Sequence, residues 1–114
     1  MILTLDLGTS TTKAVVWDGA GLRAVGRAPV ETAYAAGGRA EQDPAAWWSS
    51  VVDACAEARA VAPGTFAAVE AVGFAAARQT FVPVTAAGEP LGPAPVSYTH
   101  LDVYKRQVFM RVAS

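Results

Sequence analysis

Three short apolar runs fall within the first thirty-one residues, joined by turns too tight for anything but antiparallel pairing, and this constrains the chain more than any other feature. Ile2–Leu7 alternates, with Leu3, Leu5 and Leu7 on one face and Ile2, Thr4 and Asp6 on the other, which is the period of a strand. Gly8-Thr9-Ser10-Thr11-Thr12 follows as a turn, where Gly8 supplies backbone freedom that β-branched residues lack. Residues 13–17 are β-branched and aromatic enough for a second strand. Asp18-Gly19-Ala20-Gly21 is a hairpin signal, and residues 22–31 form a third strand. The three strands make an antiparallel meander.

The remainder alternates in kind. Residues 32–42 are rich in Gly and Ala and read as a loop. Asp43-Pro44 is a helix start, with Asp as the capping residue and Pro at the first helical position, where no donor is lost. The helix runs from 45 to 60, with Trp48, Val51, Val52, Cys55 and Ala58 as its core stripe and Asp53, Glu57 and Arg59 away from it. Cys55 is expected to fill core space and not to act as a nucleophile, and both tryptophans are expected to pack. Pro63-Gly64 ends the helix; residues 69–74 suit a buried strand, residues 81–85 another, and Ala86-Ala87-Gly88-Glu89 a turn after it. Strand, strand, strand, helix, strand argues for an α/β domain and resembles the order of a ribonuclease H-like core.

Composition excludes several classes. A chain of 114 residues supports one domain, and a 53% hydrophobic fraction is that of a folded protein. The net charge of −1 makes no case for nucleic acid or anionic membrane as partner. One cysteine allows no internal disulfide, no apolar run is long enough to span a bilayer, and Asp6 interrupts any leader-like segment. A cytoplasmic location is the expectation.

The most informative chemistry lies in Asp6-Leu7-Gly8-Thr9-Ser10-Thr11-Thr12-Lys13. A carboxylate at a strand end, a glycine, four hydroxyl residues and a lysine together offer N–H and O–H donors to phosphate oxygens, with Lys13 as a mobile cation. Asp6 suits Mg²⁺, which keeps several waters and takes only one or two carboxylates. The plain alternative is a polar hairpin whose threonines favour strands. The Walker spacing of a P-loop does not occur.

This segment resembles the first phosphate-binding hairpin of the actin-like ATPase superfamily, and in particular of the FGGY carbohydrate kinases. Three further blocks carry the resemblance: Glu41-Gln42-Asp43-Pro44-Ala45-Ala46-Trp47-Trp48, Ala71-Val72-Gly73-Phe74 followed by Arg78-Gln79-Thr80, and Gly88-Glu89-Pro90-Leu91-Gly92-Pro93-Ala94. Together with the hairpin they cover essentially all of residues 1–94. The resemblance implies the N-terminal part of an actin-like ATPase fold and an ATP-dependent transfer of phosphate to a sugar or polyol hydroxyl, with a ketopentose such as xylulose as the expected substrate. It implies that Asp6 helps bind Mg²⁺, that Gly8, Thr9, Ser10, Thr11 and Lys13 surround the ATP phosphates, and that Arg78 and Gln79 face the sugar. Ala75-Ala76-Ala77 and Gln79 depart from the residues usual in that loop. The catalytic aspartate and the second domain of such kinases fall beyond these residues by the same resemblance, so the chain alone is expected to be inactive. A non-catalytic actin-like ATP-binding or regulatory module is the alternative, against which the Gln-Asp-Pro-x-x-Trp-Trp block and Arg78-Gln79 speak, since neither is needed to bind nucleotide alone.

Composition breaks at residue 96. All ten Gly, all seven Pro and 24 of 25 Ala precede it, while residues 96–114 hold the single His and two of the three Tyr. Residues 96–107 resemble a recurrent vector or adapter read-through sequence. The resemblance implies that 1–95 is the native part and 96–114 a non-native tail, so that His100 and Lys105 carry no functional weight.

Overall fold

Alternation and turn chemistry build the first sheet as expected. In the computed structural model, which describes residues 1–76 and 80–96, β1 (Ile2–Leu7), β2 (Thr11–Asp18) and β3 (Gly21–Pro29) form consecutive antiparallel pairs. The β2–β3 turn is closed by Asp18, whose Oδ1 accepts from the amides of Ala20 at 2.7 Å and Gly21 at 3.1 Å while Oδ2 accepts from Arg23. Gly21 takes a φ of 130°, which a side chain would resist. β2 starts at Thr11, two residues earlier than expected, so Thr11 and Thr12 belong to the strand and only residues 8–10 turn.

Two further strands form a hairpin within the expected loop 32–42: β4 (Ala33–Ala35) and β5 (Arg39–Gln42) pair antiparallel. Gly37 and Gly38, at φ 78° and 73°, make its turn. That glycine pair is a hairpin signal which the short, alanine-rich flanks obscure.

Helix α1 (Pro44–Val61) agrees with the expected helix to within a residue at each end, and its inward stripe agrees at Val51, Cys55 and Ala58 but not at Trp48 and Val52. Ser50, Ala54 and Ala58 are the buried positions, with Val51 and Cys55 half-buried beside them. Trp48 is 71% exposed and Val52 is exposed as well. The reason is a close approach. A Cβ at Gly26 of β3 would lie 1.9 Å from the Ala54 carbonyl oxygen and 2.6 Å from the Ala58 nitrogen. Helix backbone rests almost on strand backbone there, and only small residues fit between. Pro63-Gly64 ends α1 but also opens a second, short helix, α2 (Pro63–Ala67).

β6 (Ala71–Ala76) pairs parallel to β1, completing a sheet of order β3-β2-β1-β6. It lies two residues later than expected and is not buried: Phe74 is 75% exposed and Val72 is exposed too. Leu3, Leu5, Ala14, Val16, Ala24 and Ala28 on the other three strands form the core with Ala54 and Ala58. This body comprises Met1–Val30 and Ala45–Ala76.

The second body comprises Glu31–Pro44 and the chain from Ala77. Its sheet has the order β4-β5-β7, where β7 is Ala94–Pro95, and the Val96 amide donates to the Ala40 carbonyl at 3.0 Å. The expected strand over 81–85 is absent; a single bridge joins Val84 to Pro90. Pro83, whose carbonyl accepts from the Leu91 amide at 3.0 Å, has no amide to return that bond. The turn at 86–89 does form, with Gly88 at φ 85° and its amide donating to the Thr85 carbonyl at 2.9 Å. Apart from Val96, the tail lies outside the described residues.

Candidate functional site: the β1–β2 turn

The turn that carries the hydroxyl run is held at three points. The Gly8 amide donates to the Thr11 carbonyl at 3.0 Å, which closes residues 8–11 on themselves. The Val30 amide, just past the end of β3, donates to the Ser10 carbonyl at 2.9 Å. Behind the turn, the Thr12 hydroxyl lies 2.7 Å from the Ser50 hydroxyl of α1. A Cβ at Gly8 would meet the Thr11 oxygen at 2.8 Å. Gly8 is thus required by the closeness of that contact; its φ does not lie in the left-handed region, which corrects the conformational reason expected of it.

Strand alternation then sorts the site residues. Asp6 on β1 stands directly opposite Lys13 on β2, both on the sheet face away from the core. Asp6 is exposed and Lys13 half-buried. Thr9, Ser10 and Thr11 are exposed along the turn between them. Thr12 faces the other way and is buried, so the expected run of four hydroxyls presents three to solvent. A carboxylate, three hydroxyls and an ammonium group thereby gather at one end of the sheet, over a turn whose backbone is fixed.

This arrangement fits a metal-bound polyphosphate. Three hydroxyl donors and one lysine suit phosphate oxygens, and a single accessible carboxylate suits a Mg²⁺ that draws its remaining ligands from water and phosphate. Among the described residues no group of three His, Cys, Asp or Glu could hold a metal by itself. Arg78 and Gln79 lie outside the described residues. The Gln42-Asp43-Pro44 block lines a cavity of about 470 Å³ in the second body, together with Glu41, Pro90 and Pro93. Gln42 is buried and its Nε2 donates to Thr32 Oγ1 at 3.2 Å. Among the described residues no helix is long and apolar enough to cross a membrane.

Two residues were missed in the sequence: Ser50, which bonds the residue behind the turn, and Gly26, which lets α1 approach β3. Ser50 looks in sequence like one more polar helix residue, and only the fold brings it to Thr12. Gly26 did carry a signal, since a glycine inside a strand marks a bulge or a close backbone approach.

Residues 1–100 match the family model described as the FGGY family of carbohydrate kinases, N-terminal domain. Over 83 residues the chain is 37% identical to a glycerol kinase of Allorhizobium ampelinum, a match that covers 71% of this chain and 16% of that protein. In structure it is similar to a "xyloylose kinase" from Brucella ovis, with a TM-score of 0.79 and 29% identity over 82% of this chain and 20% of the other. The xylulose kinase of Rhodospirillum rubrum superposes with a TM-score of 0.77 at 23% identity, over 93% of this chain and 22% of the other. The chain therefore spans about a fifth of the length of these relatives.

Proposed function

Because the chain belongs to the FGGY family of carbohydrate kinases, matching its N-terminal domain over residues 1–100, we propose that it forms the ATP-phosphate-binding part of a kinase that phosphorylates a sugar or polyol hydroxyl. The observation that supports this most is the β1–β2 turn, where Asp6 opposes Lys13 across an ordered loop of hydroxyl residues. Mg-ATP supplies the phosphoryl group when bound. The chain's own residues orient it: Ser10, Thr11 and Thr9 offer donors to phosphate oxygens, Lys13 offers positive charge, and Asp6 offers a carboxylate to the metal. Gly8 contributes by permitting the turn, since its amide is engaged by Thr11.

Arg78 and Gln79 are proposed to contact the substrate hydroxyls, the one with a rigid fork of donors and the other with both donor and acceptor. A ketopentose such as xylulose is the proposed substrate, supported by the likeness to the Brucella ovis enzyme. The glycerol kinase match makes glycerol the comparison to test. Phosphoryl transfer needs an aligned acceptor, a base and a closed cleft, and a segment about a fifth as long as its relatives supplies one part of these. The 114-residue chain alone is thus proposed to be inactive, with 1–95 as its native part and 96–114 as a tail. Long-read sequencing of the source DNA across codons 93–107 tests the last point.

The test of function is calorimetric titration of the chain with Mg-ATP, beside Lys13→Met and Asp6→Asn. Binding to the unaltered chain that weakens by about tenfold in Lys13→Met, and that loses its Mg²⁺ dependence in Asp6→Asn, is the expected result. No binding, or equal binding by all three, would contradict the proposal. Turnover of ATP stimulated by xylulose or glycerol would contradict the proposed inactivity of the isolated chain.

A further inference from the structure

The interface between α1 and the sheet is lined almost wholly by Ala, Val and Leu, and into it the fold places two hydroxyls. Thr12 is 1% exposed and Ser50 3%, and their oxygens are 2.7 Å apart across 38 residues of chain. The Ser50 hydroxyl donates to the Trp47 carbonyl at 2.7 Å, and it has only one hydrogen. Thr12 must therefore be the donor to Ser50. The result is a directed chain, Thr12 to Ser50 to Trp47, that ties the first inward-facing residue of β2 to a helix carbonyl.

Stability gives little reason for this pair. Burying two hydroxyls costs desolvation that one hydrogen bond roughly repays, and an apolar pair of the same shape would serve as well. Geometry gives a better one. Thr12 follows directly on Thr11, whose carbonyl closes the turn on Gly8, and precedes Lys13, which stands opposite Asp6. Fixing the rotation and depth of Thr12 fixes both neighbours, because successive strand residues alternate sides. We propose that Thr12 and Ser50 are positioning residues: their hydrogen bond sets the conformation of the 8–11 turn and, through it, the fit of that turn to phosphate. The second half of this statement rests on the function proposed above, and the first half does not.

The test uses the 114-residue chain and three variants: Thr12→Val with Ser50→Ala together, Thr12→Val alone, and Thr12→Ser. Three quantities are read: the exchange rate of the Gly8 amide against that of Ala24 in β3, whose amide faces β2 opposite Val16, the affinity for Mg-ATP, and the thermal midpoint. The double variant is expected to melt within a few degrees of the unaltered chain, because both polar partners are removed together. Its Gly8 amide is nevertheless expected to exchange about tenfold faster while Ala24 changes less than about twofold. Its affinity for Mg-ATP is expected to fall about fivefold or more, since small displacements of donors are costly. Thr12→Val should behave likewise in exchange and affinity, whereas Thr12→Ser, which keeps the donor, should stay near the unaltered chain in all three.

Unchanged Gly8 exchange in the double variant would overturn the proposal. So would equal acceleration at Gly8 and Ala24, which marks a merely structural pair, and so would faster Gly8 exchange with unaltered Mg-ATP affinity. If the unaltered chain fails to bind Mg-ATP while Gly8 exchange still depends on Thr12, the positioning of the turn stands and the phosphate reading falls.

Discussion

Gly26 permits a close approach of β3 to α1, and a single methyl group there would strike helix backbone, which cannot rotate aside. A Cβ at 1.9 Å from the Ala54 oxygen forces α1 off the sheet or bends β3. Gly26→Ala is expected to lower unfolding free energy by about 3 kcal/mol, measured by urea denaturation. Gly73 offers the control, since a Cβ there would meet only the Thr4 methyl at an ordinary 3.9 Å; Gly73→Ala should be near neutral. At Cys55 the sequence expectation of an inert, packed thiol agrees with its half-buried place beside the core. Burial pushes the Cys55 thiol above its ordinary range. Its reaction with a disulfide reagent at pH 8 should therefore be several-fold slower in the folded chain than in urea. Equal rates would contradict that environment.

Elements were legible in the sequence where local chemistry alone decides them. The alternation of Ile2–Leu7, the Asp18-Gly19-Ala20-Gly21 turn and the Asp43-Pro44 helix start each act within a few residues, and all three elements form. The stripe of α1 was legible at Val51, Cys55 and Ala58 but misread at Trp48 and Val52, because hydrophobicity pointed to those two, whereas the tight approach to Gly26 selects the small Ala54 and Ala58. That selection depends on a residue in another element, which periodicity within the helix does not report. Residues 81–85 failed as a strand for a local reason, the proline at 83, which removes a ladder donor opposite Leu91. The candidate site shows the same division: that Asp6 and Lys13 flank the turn follows from spacing, while the partner of Thr12 does not.

The β2–β3 turn carries a pH signature at the element scale. Arg23 beside Asp18, with the amides of Ala20 and Gly21, holds its carboxyl below the usual carboxylate range. A carboxylate favoured in the folded state stabilises it above the unfolded value, near pH 4, and that contribution is lost as pH falls through the lower folded value. The stability difference between the unaltered chain and Asp18→Asn should thus be constant from pH 7 to about pH 5 and shrink below about pH 4. A difference that grows on acidification would contradict this assignment.

At the scale of the whole molecule, the first body leaves apolar surface bare. Phe74 is 75% exposed, and Ile2, Val72 and Trp48 are exposed as well. Exposed apolar surface on a strand at the end of a sheet order invites self-association. Phe74→Lys is expected to raise the concentration at which the chain aggregates without lowering its thermal midpoint, as read by light scattering and circular dichroism. In a chain that spans about a fifth of its relatives' length, the turn proposed to face phosphate nonetheless finds its hydrogen bonds within the first body, so it can be tested directly. The decisive measurement is a titration of the ¹⁵N-labelled chain with Mg-ATP followed by amide chemical shifts. Shifts should cluster on residues 8–13 and be absent with Mg²⁺ and adenosine alone. Shifts that leave residues 8–13 unmoved while others respond, or no response at all, would contradict phosphate binding by the turn.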